Sequence, residues 1–210
     1  MPSGVNYPFY IPSSLADVRK LVEARRPADA VDLLKVKASF ANHSAAALLA
    51  FVHLKGAAPR EEYASAVTQC GAAAAAGDPF AEFVLAQIYF TAGRTREGLA
   101  WLRKSSNHLF PPALSHLGRM MAKGEGYDSA DIKSAFQMYR LAIGHGHVPT
   151  IALAAKLLIA SRNPFKGLAG ILLFPIAFMA AITCFQFAPF DLRIFVHVPG
   201  DWRPLFIAPQ

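Results

Sequence analysis

Four histidines come nearest to a chemical site in this chain. His145 and His147 are separated by one residue, and His108 and His116 precede them in the same half of the sequence. A metal ion needs three or four ligands that converge on one point and are oriented by further hydrogen bonds. Because nothing in this spacing forces convergence, we expect no metal site and interpret the histidines as parts of helix-end turns.

The other patterns that could indicate catalysis are equally weak. Gly124-x-Gly126 and Gly144-x-Gly146 lack the preceding strand and the following helix that a dinucleotide-binding loop requires, so we interpret them as helix stops. No Ser-His-Asp or Cys-His spacing predicts a nucleophile, and helix caps and solvated faces account for most of the acidic residues. The sequence therefore predicts no catalytic residue, no cofactor and no enzymatic activity.

Length, composition and charge limit the classes of protein to which the chain can belong. The 210 residues allow one domain, or a small domain with an appendage, and a hydrophobic content of 54% is high for a fully soluble chain. The formal charge of +7 comes from scattered Lys and Arg residues, so nucleic-acid binding is not expected. Two cysteines, Cys70 and Cys184, are too few for a disulfide or metal framework.

Residues 110–151 have the pattern of two antiparallel helices joined by a turn. Apolar and small residues recur at steps of three and four, which places them on one face of each helix. They are Ala113, Leu117, Gly118 and Met121 in the first helix, and Ala135, Met138, Tyr139 and Ala142 in the second. Asp131 is suited to begin the second helix and Gly144 to end it.

These residues resemble the Sel-one-like repeat, a relative of the tetratricopeptide repeat. The matching positions are Ala113, Leu117-Gly118, Gly124-x-Gly126, Asp131, Ser134-Ala135 and Met138-Tyr139-Arg140-Leu141-Ala142, with departures at Ser134 and Met138. The resemblance implies an all-α fold, a solenoid of antiparallel helix pairs. It also implies a scaffold that binds protein partners.

The same pattern recurs along the chain. Its first helices start at Ala45, Ala81, Ala113 and Thr150, which are 36, 32 and 37 residues apart, a period typical of helix-pair solenoids. We therefore predict a repeat domain over residues 42–161. It is preceded by an extended arm at 1–12, rich in proline and aromatic residues, and by a capping helix hairpin at 13–41.

The C-terminal part is strongly apolar. Residues 167–190 contain no charged side chain, and as a helix they would extend about 36 Å, more than a ~30 Å hydrocarbon core requires. We predict a transmembrane segment at 165–190, kinked at Pro175, with the repeats on the cytoplasmic side because Arg162 and Lys166 flank its start. The alternatives are a buried helix hairpin that seals the end of the solenoid, and a re-entrant or interfacial segment. The tail, 191–210, is predicted to be a short strand or an irregular arm.

The resemblance implies that the first helix of each pair lines a concave surface. Residues offset from the small-residue stripe would then face a partner: Phe80, Phe83, Gln87, Phe90, Ser115, Arg119 and Lys156. An aromatic floor edged by Gln and cations could hold an extended or helical peptide with an acidic group. The alternative is that these phenylalanines pack between neighbouring helices.

The functional expectation combines the repeats with the apolar segment. We predict a membrane-anchored adaptor that binds a protein partner through its repeats and lipid through residues 167–190. The resemblance extends this to bacterial envelope or exopolysaccharide assembly. The alternative is an integral accessory subunit of a membrane enzyme or transport complex.

Overall fold

The computed structural model describes residues 11, 13–24, 26–54, 63–160 and 163–187. Over these residues the fold is entirely helical, as predicted, with a 3-10 turn at Ser13–Leu15 before the first α-helix. The helices are α1 (Ala16–Glu23), α2 (Pro27–Ser39), α3 (His43–Leu54), α4 (Tyr63–Ala75), α5 (Pro79–Thr91), α6 (Thr95–Asn107), α7 (Pro111–Lys123), α8 (Ile132–Gly144), α9 (Pro149–Ile159) and α10 (Pro164–Phe187).

Helix starts and stops follow the local signals in the sequence. The Asp78 carboxylate accepts a 2.7 Å hydrogen bond from the backbone N–H of Ala81, and Pro79 occupies the first turn of α5. Asp131 caps α8 in the same way, accepting from the N–H of Ser134 at 3.0 Å. Gly124 ends α7 with a φ of 73°, a left-handed conformation that favours glycine.

The chain divides into two compact units, and the first contains α1 to α6. Within it α3 contacts α2, α4 and α5, and α5 also contacts α4 and α6. Every residue of α3 from Ala45 to His53 is buried. A helix that is apolar around its whole circumference must be covered on all sides, so α3 forms the core of this unit.

Aromatic residues fill the spaces between helices of the first unit. The rings of Phe51 in α3 and Phe80 in α5 lie 6.3 Å apart at a 55° tilt. The Phe90 ring of α5 covers Gly98 of α6 so closely that a Cβ atom at Gly98 would lie 2.6 Å from it. The Ser105 hydroxyl donates a 2.7 Å hydrogen bond to the carbonyl of Pro79, which ties the two helices together.

The second unit contains α7 to α10. Here α7 contacts α8 and α9, α8 contacts α9, and α9 contacts α10. The Tyr139 ring of α8 packs directly on Gly118 of α7, where an added Cβ would lie 2.7 Å from the ring and 3.0 Å from the Ala135 carbonyl oxygen. These residues belong to the helix pair that the sequence pattern identified.

The last helix, α10, covers most of the predicted transmembrane segment, whose final residues, 188–190, lie outside the described part of the chain. It packs closely on α9, since a Cβ atom at Gly170 would lie 2.6 Å from the Ala155 carbonyl oxygen. Among the residues that the structure describes, none of the helices is both long enough and apolar enough to cross a membrane.

The predictions for the two ends of the chain remain almost untested. The tail at 191–210 and the arm at 1–12 lie outside the described residues, apart from Ile11. This residue is buried, and its carbonyl accepts a 2.9 Å hydrogen bond from the Arg19 guanidinium.

The close contact at Gly118 leads to a stability prediction. Replacing Gly118 with Ala should lower the free energy of unfolding by about 1 kcal/mol or more, because overpacking against Tyr139 and the Ala135 carbonyl outweighs the gain in helix propensity. Thermal unfolding followed by circular dichroism measures the change.

Gly71 of α4 provides the matched control. A Cβ atom at this helical glycine would meet nothing within 4 Å. Gly71→Ala should therefore stabilise the protein by about 0.5–1 kcal/mol. Equal effects of the two substitutions would contradict the close packing at Gly118.

Candidate functional site

The predicted partner-binding residues are divided between the two units. In the first unit, α5 carries Phe80, Phe83, Gln87 and Phe90. The first three are buried, and Phe90 is half-buried against Gly98. Phe80 and Phe90 contact Phe51 and Gly98 of neighbouring helices, and a binding role for the four residues stays a prediction.

In the second unit, Ser115 and Arg119 lie one turn apart on the same face of α7. Lys156 is exposed on α9, which contacts α7. Arg119 and Lys156 occupy equivalent positions, since each directly follows a small residue of the repeat pattern, Gly118 or Ala155. Ser115 is buried, whereas Lys156 is exposed on the other helix, and the role of the three residues in binding also stays a prediction.

Arg119 is an incompletely compensated cation. Its side chain is only 15% exposed, and its nearest carboxylate oxygen, Oε2 of Glu125, lies 3.8 Å from Nη1. The Nε atom is buried with no hydrogen-bond partner among the described residues. Burial accordingly lowers the pKa of Arg119, while Glu125 and Tyr139 act in the opposite direction.

The residues around Arg119 add little negative charge. Glu125 is shared with Lys123, whose Nζ lies 3.2 Å from Oε1. Burial raises the pKa of the Tyr139 hydroxyl to about 12, so Tyr139 is neutral at physiological pH. Burial, assisted by Arg119, also holds the pKa of His116 well below its usual range, which leaves that ring neutral.

Glu82 is a buried acid, and it is an exception to the helix caps and solvated faces that account for most acidic residues. Its side chain is 4% exposed in the first turn of α5, and Oε2 has no hydrogen bond among the described residues. The half-exposed His108 ring places Nε2 at 3.7 Å. Burial is the main cause that raises the pKa of Glu82; Asp78 also raises it, whereas His108 and Lys104 lower it.

The histidines that could have formed a metal site lie apart from one another in different surroundings. His147 is buried, and its Nδ1 atom lies 2.5 Å from the Thr150 hydroxyl at the start of α9. His108 lies beside Glu82, and His116 is enclosed in α7. Within the described ranges, no three His, Cys, Asp or Glu side chains are grouped closely enough to hold a metal ion.

Cys70 is equally enclosed. Its thiol lies 3.6 Å from the carbonyl oxygen of Ala81, and burial raises its pKa to about 12. The reactive thiolate is therefore scarce at neutral pH.

Comparison with known proteins supports the fold. No family model matches the chain, and no curated protein matches it. Among solved structures, a Sel1 repeat protein from Oxalobacter formigenes is similar, with a TM-score of 0.64 at 17% sequence identity over 85% of this chain and 78% of that one. The fold is thus of the Sel-one-like helical-repeat class, which confirms the resemblance predicted from residues 110–151.

The buried carboxyl of Glu82 leads to a prediction about pH. The pKa of Glu82 is higher in the folded state than its ordinary value of 4.5. The protonated carboxyl therefore contributes its full stability to the fold below pH 4.5, and this contribution is lost as the pH rises through the folded pKa. Glu82→Gln should therefore raise stability at pH 7.5 by about 1 kcal/mol and bring little change at pH 4. Thermal unfolding at both pH values measures this.

Glu97 of α6 serves as the control for Glu82. It is exposed, and Arg94 lowers its pKa through a hydrogen bond, so the pH dependence should have the opposite sign. Glu97→Gln should leave stability at pH 7.5 nearly unchanged. A loss of stability at neutral pH in Glu82→Gln would show that the ionised carboxylate is well compensated.

Proposed function

We propose that this chain is a non-catalytic interaction scaffold that binds a protein partner through its helical repeats and is held at a membrane through α10. The scaffold part of the proposal is supported by the Sel-one-like repeat fold. The absence of a metal-ligand cluster in the described part of the chain is compatible with it. The membrane part is supported by the surface of α10.

The exposed side chains of α10 are the observation that carries the membrane proposal. Gly170 and Ala177 are buried, whereas most large side chains described in this helix are exposed: Phe165, Leu168, Ile171, Leu172, Phe174, Ile176, Phe178 and Met179. Contiguous exposed apolar surface of this kind marks sites of protein or membrane interaction.

The distribution of these residues favours lipid over a protein groove. At 100° per residue the exposed side chains extend over about 200° of the helix circumference, leaving only the stripe that faces α9. A helix that docks in a protein groove usually presents an apolar stripe about 100° wide. Lipid, by contrast, covers every surface that protein leaves open.

The proposal includes a direction of attachment. Lys166 is the charged residue within α10; it is exposed and lies in the first turn of the helix. A cation beside an apolar segment is attracted to the anionic lipids of the cytoplasmic leaflet, so we propose that the repeats lie on the cytoplasmic side. A role in bacterial envelope or exopolysaccharide assembly is a further proposal, which rests on the family resemblance alone.

Membrane attachment can be tested with charged substitutions on α10. Ile171→Asp combined with Leu172→Asp should reduce co-flotation of the full-length protein with phosphatidylglycerol and phosphatidylcholine vesicles at least tenfold. The reason is that each buried carboxylate costs about 2.5–3.5 kcal/mol within the hydrocarbon. The protein that floats with the vesicles is measured after density centrifugation.

The control uses exposed apolar residues elsewhere in the same unit. Ile132 and Leu141 of α8 are exposed to a similar degree, and changing both to Asp should leave flotation unchanged. Equal flotation of the α10 variant and the wild type would reject lipid attachment. Stoichiometric co-purification of a membrane enzyme or transporter subunit through α10 would favour the accessory-subunit alternative.

A further inference from the structure

The way in which α10 packs on α9 restricts how α10 can meet a lipid bilayer. A Cβ atom at Gly167 would lie 4.0 Å from the carbonyl oxygen of Ile159, and one at Gly170 would lie 2.6 Å from the carbonyl oxygen of Ala155. As α10 advances, its contacts therefore move backwards along α9. The two helices are antiparallel, and they lie side by side from the first turns of α10.

The position of the rest of α9 follows from these contacts. At 1.5 Å per residue, Pro149 at the start of α9 is about 9 Å along the axis from Ala155, and the same distance along α10 from Gly170 ends close to Ala177. Ala177 is buried, and two helical turns place it on the same side of α10 as Gly170. Thus α9 accompanies α10 as far as about Ala177. Residues 178–187, about 15 Å of helix, extend past α9.

An upright α10 would carry polar groups of the second unit into the bilayer. If residues 167–187 filled a ~30 Å hydrocarbon core, Ala177 would lie near its middle, together with the start of α9. The turn between α8 and α9, which contains exposed His145, would lie at the same depth, and exposed Lys156 would be inside the core. Charged side chains and the backbone of a turn are costly in contact with lipid chains. The packing on α9 therefore opposes a spanning orientation.

The most exposed apolar side chains of α10 form a line parallel to its axis. At 100° per residue, Leu168, Leu172 and Met179 lie about 160–200° around the helix from Gly170, so they point away from α9. All three are more than half exposed, and Phe165 in the first turn is 83% exposed near the same line. The apolar face thus begins beside α9 and is not confined to residues 178–187.

The charged residue of α10 lies on the opposite side from this line. Lys166 is exposed and lies about 40° around the helix from Gly170, toward α9. In a helix at a membrane surface, basic side chains on the polar face contact lipid head groups, whereas the apolar face enters the acyl chains. Because α9 covers much of the other side of α10, the pair has one apolar face and one protein-covered face with a cation at its edge.

We propose that α10 lies parallel to the membrane surface and is embedded in one leaflet, with Leu168, Leu172 and Met179 toward the acyl chains and α9 toward the head groups. This inference rests on the proposed attachment through α10 and specifies its geometry. It takes the place of the spanning segment that the sequence predicted. The partner is a bilayer with anionic lipids, because Lys166 then lies among the head groups and is attracted to them.

The experiment measures how deeply single residues of α10 enter the bilayer. Four exposed residues are changed to Cys one at a time in the full-length Cys184→Ala protein and labelled with the fluorophore NBD: Leu168, Leu172, Phe174 and Met179. Cys70 stays unlabelled, because it is buried and burial raises its pKa to about 12. Each protein is reconstituted by detergent removal into phosphatidylglycerol and phosphatidylcholine vesicles, so that either orientation can form. Quenching by lipids that carry nitroxides at known depths gives the depth of each label.

The flat orientation predicts that depth depends on the helix face. Leu168→Cys and Met179→Cys should lie at depths that agree within about 5 Å, although about 16 Å of helix separates them. Phe174→Cys should be shallower than Leu172→Cys and Met179→Cys, because position 174 is about 160° around the helix from position 172. A spanning helix would place Phe174→Cys between these two, and positions 168 and 179 would differ in depth by about 10 Å or more.

Two further variants act as controls. Lys123 is exposed at the end of α7, and Lys123→Cys should show no quenching by the lipids. Circular dichroism verifies the fold of each labelled protein. If Phe174→Cys fails to fold, Phe178→Cys replaces it, since Phe178 lies about 100° around the helix from Met179 and should be shallower than Met179→Cys.

The outcomes distinguish the flat orientation from the proposed attachment. Depths that increase steadily from Leu168 to Met179 overturn the flat orientation and leave attachment through α10 standing, and equal depths at all four positions do the same. If the protein floats with the vesicles but no label on α10 is quenched, another surface binds the lipid and both proposals are overturned. Absence of flotation also overturns both.

Discussion

The structure depends on close approach between antiparallel helices, which small residues permit at a few positions. At Gly118 and Gly98 the missing side chain makes room for an aromatic ring of the neighbouring helix, Tyr139 or Phe90. At Gly170 it allows α10 to approach the backbone of α9 itself. These contacts set the distance between the two helices of each pair, because the neighbouring ring or carbonyl occupies the space that a Cβ atom would need.

Close packing also decides where polar groups lie. Three other helices of its unit contact α5, and every side chain from Phe80 to Gln87 is buried, including the carboxylate of Glu82. The Arg119 side chain is enclosed less completely, since 15% of its surface remains exposed. Each residue is an ionisable group with one buried atom that has no hydrogen bond among the described residues.

The surface of α10 follows from the same constraint at the end of the second unit. Gly170 packs on α9, whereas most large side chains of α10 that the structure describes are exposed. A pair of helices can bury only the stripe along which they touch, so a helix that is apolar on all sides keeps most of its surface open. This open apolar surface of α10 is the physical reason for proposing membrane attachment.

Sequence alone determined the class of the fold and the position of its elements. The spacing of Ala113, Leu117 and Gly118, with the caps at Asp78 and Asp131, follows from interactions within a few residues of the chain, and such local rules can be read directly from a sequence. Gly124 was predicted as a stop for the same reason. The predicted groove residues were chosen by the same periodicity, which identifies a helix face but not what covers it.

Tertiary structure decided the burial of individual side chains. The sequence could not show that Phe83 is enclosed or that Glu82 is desolvated, because burial depends on how the helices pack. Nor could it show that the Nε–H of Arg119 has no acceptor within the part of the chain that the structure describes. A possible signal for Glu82 was its position between Ala81 and Phe83 in a helix with no polar face, yet periodicity assigns no solvent exposure to such a helix. Local patterns specify the helices, whereas the electrostatic state of a side chain depends on how those helices pack.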